Sequence, residues 1–145
     1  MRFLASLGHH LTGIDRDPEA IAEVASLGET VHADIENVPW PLPERTFDAV
    51  IVTNYLWRPL MPQILASLSS QGVLIYETFA AGNQTVGKPS RPDFLLKPGE
   101  LLSLCQGLHI VAYEDGFLDS PERFVQRIVA VKTPQLTGTP KRFDL

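Results

Sequence analysis

The stretch HHLTGIDRDPEAIAEVASLG, His9 to Gly28, decides the fold. An apolar run beginning at Leu11 ends in an acid, Asp15, and a helix signature follows at once. Asp17 and Pro18 form an N-cap and N1 pair, and Ala20, Ile21, Val24 and Leu27 share one helix face. Gly28 closes the helix, and TVHAD, ending at Asp34, is the next short strand. A strand, a helix and a strand in direct succession form a β-α-β unit with a right-handed crossover between parallel strands. At such a corner, nucleotide-binding α/β proteins place a carboxylate whose two oxygens accept both ribose hydroxyls, so Asp15 is the first candidate site residue.

Upstream, RFLASL places Phe3, Leu4 and Leu7 at helical spacing, with Gly8 as a C′ stop, and has the character of a helix tail. Downstream, IENVPWPLPER carries Pro39, Pro41 and Pro43 and is an irregular loop. FDAVIVTN and GVLIYETF are apolar at both alternating positions, as in strands covered on both faces, and Met61 to Leu68 is a modest helix between them. Ala80 to Pro98 is a long loop rich in Gly, Pro, Asn, Ser and Lys. A short helix, GELLSLC, precedes two strands, LHIVAYED and RFVQRIVAVK. GFLDSPE, between those two strands, is too short for a helix, so they form an antiparallel pair.

The expected fold class is therefore α/β: a Rossmann-like, mostly parallel sheet with helices on both faces and a C-terminal antiparallel strand pair. One domain over residues 1–133 is expected, with a mobile tail over 134–145.

The bulk properties narrow the function. Twelve basic against seventeen acidic residues give a net charge of −5, which excludes a nucleic-acid surface built on phosphate neutralisation. No apolar run approaches the roughly 18 residues of a membrane span. A single cysteine, Cys105, on a short apolar helix, reads as core and fits a reducing cytoplasm. His9 and His10 are adjacent and point apart on an extended backbone, while His32 and His109 fall within strands and are expected to be packed. No metal is expected.

Several of these segments together resemble the class I methyltransferases that use S-adenosylmethionine. The resemblance rests on LTGIDRD after a helix tail, HADIENVPWP after the next strand, FDAVIVTNYLWRP at the third, and GVLIYETF before two closing strands. The order GVLIYETF then FLLKPGELL is most similar to the small bacterial methyltransferases of the tellurite-resistance type. The resemblance implies S-adenosylmethionine as cofactor and a small-molecule methyl acceptor.

It also implies a set of site residues. Asp15 would take the ribose hydroxyls, with Arg16 along the ribose or adenine edge or else solvated at the surface. Asp34 would accept from the adenine amino group, and Ile35 would cover the ring through its backbone and side chain. Trp40 either walls that pocket or closes the core beneath the loop. Asn54 and Tyr55, at the end of VIVTN, would line the methionine half of the cofactor, and Tyr55, Trp57 and Arg58 would form an acceptor wall, or else the stretch is a helix-start turn with Arg58-Pro59 as its breaker. Tyr55 and Glu77 are the candidate catalytic residues, Glu77 either as a base or as the structural partner of an arginine. Asn83, Lys88 and Arg91 could form a lid over an anionic acceptor, or else belong to an ordinary solvated loop.

In the resembled family a first strand and a glycine-rich E/DxGxGxG loop precede the helix whose tail is seen at Arg2 to Leu7. This sequence holds neither. The missing strand would be central, between LTGID and FDAVIVT, and its absence would bare backbone groups on both neighbours. Three arrangements answer this: a longer native chain, direct pairing of the two neighbours, or a homodimer covering the exposed edges. Weak or absent cofactor binding by this truncated form is expected. The competing functions are a non-catalytic Rossmann-like remnant that binds or scaffolds, and a nicotinamide-dependent oxidoreductase. The oxidoreductase is disfavoured because the chain has no Tyr-x-x-x-Lys pair.

Overall fold

The structure is a computed structural model and describes residues 1–133; the tail expected over 134–145 lies outside the described residues. The chain divides into two compact units, Met1–Pro43 and the part from Glu44 onward.

The first unit is the predicted β-α-β element. Helix α1, Arg2–Ser6, ends in a Schellman turn: Gly8 at φ 82° donates to Ala5 O at 2.9 Å, and His9 donates to Leu4 O at 3.3 Å. Strand β1, Thr12–Asp15, runs parallel to β2, Glu29–His32, with Thr12 opposite Glu29 and Asp15 opposite His32. Helix α2, Pro18–Val24, connects them and starts as its sequence dictates, with the Asp17 carboxylate accepting from Glu19 N at 2.9 Å and Pro18 in the first turn. A 3₁₀ turn, Ala25–Leu27, completes the helix. Gly28 is required by a close approach: a Cβ there would lie 2.4 Å from Leu11 O.

The second unit holds the core. Strands β3, Phe47–Thr53, and β4, Leu68–Phe79, are parallel and joined by a 3₁₀ turn, Arg58–Leu60, and helix α3, Met61–Ala66. Helix α4, Glu100–Leu104, leads into β5, His109–Asp119, and β6, Glu122–Val131. The sheet order is β3-β4-β6-β5, so the antiparallel strand β6 lies inside and β5 forms the edge. Leu74, Tyr76, Ile128 and Ala130 on one face of the sheet are buried, as are Leu60, Met61 and Ile64 at the first connection and Leu101 of α4. Burying each such side chain contributes on the order of 1.5–3 kcal/mol. Gln126, fully buried, fastens α4 to the sheet: its amide oxygen accepts from Leu101 N at 3.2 Å and its nitrogen donates to Lys97 O at 2.7 Å.

Burial alternates along β4, and its second face, with Ile75 40% exposed beside Ile51 at 43%, remains partly open. An apolar sequence at both parities is compatible with burial on both faces, but whether a layer covers each face is decided elsewhere in the chain. Strand β1 pairs with β2, and β3 with β4, in separate sheets. Among the described residues no helix is long and apolar enough to cross a membrane.

Candidate functional site

The two carboxylates singled out by the sequence stand at the same end of the β1–β2 pair. Asp15 closes β1 and Asp34 lies two residues beyond the end of β2. Asp15 Oδ1 accepts from Asp17 N at 2.9 Å, its carbonyl accepts from Ala33 N at 3.0 Å, and the side chain is exposed. The same corner is pinned from β2, where His32 Nε2 lies 3.0 Å from Arg16 O. His32 is thus exposed rather than packed, at the end of β2. His109 is likewise exposed, at the start of β5.

Asp34 organises its own turn. Its Oδ2 accepts from Asn37 Nδ2 at 2.8 Å, its Oδ1 from Glu36 N at 3.3 Å, and its carbonyl from Asn37 N and Val38 N. The Asn37 amide holds the Asp34 carboxyl below its ordinary range, helped by the Glu36 amide and the Arg16 charge, against the opposing effect of desolvation. Arg16 and Asp34 are therefore electrostatic neighbours. Ile35 is half-buried in this turn. Ionised carboxylates at the carboxyl end of adjacent parallel strands are acceptors suited to a diol or an exocyclic amine.

At the second unit's equivalent corner, Asn54 sits in the left-handed region at φ 53° and donates its N–H to Glu77 O at 3.0 Å. Asparagine is among the few residues that enter this region readily. Tyr55 follows, half-buried, and its carbonyl accepts from the buried Tyr76 hydroxyl at 2.8 Å, whose pKa burial pushes up.

Arg58 takes the helix-start alternative, opening the 3₁₀ turn Arg58–Leu60, and its guanidinium is engaged within the protein. Its Nε and Nη2 donate to Glu100 at 2.6 and 2.9 Å, Nη1 to Asp93 O at 2.7 Å, and Nη2 also to Leu95 O at 2.9 Å. It is a clamp on the 80–98 loop, and the planar fork of arginine suits that bidentate duty. Its pKa is raised by the Glu100 hydrogen bond, while Glu100 is held low by Arg58. The lid does not assemble. Asn83 is buried and serves the backbone, donating to Pro89 O at 3.1 Å and accepting from Phe124 N at 3.2 Å. Arg91 pairs with Asp93 at 2.9 Å and lies over the Phe94 ring, and Lys88 is exposed.

Glu77 takes the structural alternative: its carboxylate accepts from Arg127 Nε and lies 3.4 Å from Arg123 Nη1, while Arg127 also reaches Glu114 at 3.2 Å. Glu100, Gln126, Arg123 and Arg127 were missed by sequence reasoning. The available signal was the spacing of Arg123 and Arg127, which places both on one face of a strand. Among the described residues no group of three or more His, Cys, Asp or Glu is arranged to hold a metal ion.

Residues 1–68 match the family described as a methyltransferase domain. The whole described topology then finds counterparts among solved structures. TehB from Haemophilus influenzae superposes with a TM-score of 0.71 at 18% identity, covering 91% of this chain and 53% of that one. The chain has the class I methyltransferase fold. That fold is shared with an S-adenosylmethionine-dependent methyltransferase from Methanosarcina mazei, at TM-score 0.66 and 17% identity over 91% of this chain and 86% of that one. It is shared also with the 1,6-didemethyltoxoflavin-N1-methyltransferase of Burkholderia thailandensis, at TM-score 0.65 and 15% identity over 92% and 65%. This chain spans about half the length of the TehB chain. No curated protein sequence matches it significantly. In methyltransferase terms, the Asp15 and Asp34 corners lie within the matched 1–68 segment, and the Arg58 clamp and the Glu77 ion pairs hold the C-terminal sheet and its loop.

Proposed function

We propose that this chain is a methyltransferase domain that uses S-adenosylmethionine to methylate a small molecule. The observation that carries the proposal is the pair of carboxylates, Asp15 and Asp34, at the carboxyl end of the β1–β2 pair. The donor set fits the adenosine portion of the cofactor. Asp15 spends one oxygen on Asp17 N, and the other can accept from a ribose hydroxyl. Asp34, kept ionised, can accept from the adenine amine, with Ile35 against the ring and Arg16 along its edge. Asn54 and Tyr55 are proposed for the methionine portion. The cofactor supplies an activated methyl group, and the chain's contribution is positioning and exclusion of water.

Glu77 is not assigned as a base, since its carboxylate is engaged by two arginines. Tyr55 is retained as the catalytic candidate, contacting the acceptor. A small-molecule acceptor accords with the toxoflavin-type substrate named for the Burkholderia relative. A reducing cytoplasmic setting, and a homodimer covering the outer edges of β1 and β3, belong to the same proposal.

A binding-only role is the second reading, favoured by the engagement of Glu77. The test is a thermal-shift series with S-adenosylhomocysteine and NADH at millimolar concentration, on the native chain, Asp15→Ala and Asp34→Asn. Stabilisation by S-adenosylhomocysteine alone, lost in both variants, is expected. Stabilisation by NADH, or a response indifferent to both substitutions, overturns the proposal.

A further inference from the structure

The second face of the β3-β4-β6-β5 sheet carries two adjoining rows of different chemistry. In one, Ile51 stands opposite Ile75, Ile75 opposite Val129 and Val129 opposite Ala112. In the next, Thr53, Glu77, Arg127 and Glu114 follow the same order across the strands. Residues two apart on a strand share a face, so the apolar row and the charged row lie side by side. The register of β5 shifts between Ile110 and Ala112, and a shallow hollow of about 210 Å³ opens there, lined by Ala112, Tyr113, Glu114, Arg127, Ile128 and Val129. The hollow is thus mostly apolar, with Arg127 and Glu114 among the residues that line it.

The guanidiniums beside it are incompletely matched. Arg127 and Arg123 both rest on the Glu77 carboxylate, Arg123 at 3.4 Å. Arg123 Nε is buried and finds no hydrogen-bond partner among the described residues. A buried donor left unpaired is costly, and such exceptions call for a physical explanation. The second balancing carboxylate, Glu114, is 69% exposed, so its hold on Arg127 is screened by water and salt.

We propose that this face is a binding site for a small monocarboxylic acid with an apolar body. The carboxylate replaces Glu114 on Arg127, while the body lies in the hollow against Val129 and Ala112. Charge matching selects the ligand. Two arginines and Glu77 leave one positive charge when Glu114 turns to solvent, which a monoanion neutralises and a phosphate dianion overshoots. The planar fork of Arg127 matches a carboxylate, and the mostly apolar lining excludes a fully hydrated anion.

The probe is benzoate, titrated into the full chain at constant ionic strength and followed by ¹⁵N chemical shifts. Saturable shifts at Ala112, Arg127 and Val129 are expected, and Arg127→Gln should weaken binding roughly tenfold or more. Ala112→Leu, which fills the hollow and keeps both arginines, should abolish it. Glu114→Gln, which removes the competing carboxylate, should tighten it. These last two variants keep the test decisive if Arg127→Gln fails to fold. Benzamide, of the same shape without the charge, should not saturate. Equal binding of benzamide, equal competition by inorganic phosphate, or unchanged binding in Ala112→Leu overturns the proposal. The measurement needs no S-adenosylhomocysteine, so its outcome is independent of the methyltransferase assignment.

Discussion

Replacing Glu100 with glutamine tests whether the Arg58 clamp stabilises the second unit. Glu100 Oε1 accepts from Arg58 Nε at 2.6 Å, and Oε2 accepts from Arg58 Nη2 at 2.9 Å and from Lys97 N at 2.7 Å. Hydrogen bonds to a charged group contribute about 1.5–3 kcal/mol when sheltered. The Glu100 side chain is 14% exposed but that of Arg58 is 35%, so solvent screening lowers the expected loss to about 1.5–2 kcal/mol. The pH dependence carries a definite sign. The folded carboxyl is held below its unfolded value of 4.5, so its contribution is complete above that value and disappears as pH falls through the lower, folded one. Urea denaturation should therefore show the largest gap between native chain and Glu100→Gln at neutral pH, narrowing in acid, with unchanged m-values. Arg58→Met should cost more than Glu100→Gln, because the Asp93 and Leu95 carbonyls lose their donors as well. The double mutant should then recover a coupling of about 1 kcal/mol or more. A neutral-pH loss within about 0.5 kcal/mol, typical of an unconnected surface site, or a gap indifferent to pH, would refute the clamp.

Asn54 should tolerate glycine with little loss, whereas Asn54→Val should cost about 1–2 kcal/mol in the same denaturation assay, since a β-branched side chain is strained in the left-handed region. Equal stability of the two variants would mean the turn relaxes out of that conformation. Cys105 is fully buried and desolvation pushes its thiol up to about 11, so a colourimetric disulfide reagent at mildly basic pH should label it only upon unfolding. Rapid labelling of the native chain would contradict the packing assigned to α4.

How far the sequence could be read depended on the range of the interactions involved. The Gly8 helix stop and the Asp17-Pro18 helix start are written in residues a few positions apart and formed at their expected places; the antiparallel β5–β6 pair formed too, but the strands run on through most of GFLDSPE and leave only Ser120 and Pro121 between them. The Asp15 and Asp34 corners were equally legible, because a strand end and the turn after it are local features that parallel pairing then brings to one edge. Burial was less so. The apolar parity of FDAVIVTN is compatible with cover on two faces, but exposure depends on what else packs there, and Ile51 and Ile75 remain partly open.

Polar side chains were hardest to read, and Arg58 and Glu77 make the reason plain. An arginine just after a strand corner and a glutamate near a strand end are equally good as acceptor-binding groups or as halves of an ion pair. The choice is made by a partner far along the chain: Glu100 for Arg58, 42 residues away, and Arg127 for Glu77, 50 residues away. Neither separation has a periodicity that sequence can display. Asn83 is a case of the same kind, since its burial follows from Phe124 N and Pro89 O needing a donor and acceptor between them. Burial also changes what each residue can do. A guanidinium whose donors already meet Glu100 and two carbonyls is a poor ligand group, because a newcomer must displace bonds already made. The arginines of β6 differ: they share the Glu77 carboxylate, and Arg123 keeps a buried nitrogen without a partner among the described residues. Unmet hydrogen-bonding capacity, rather than charge or position at a strand end, therefore separates the residues that hold this fold together from those left to hold something else.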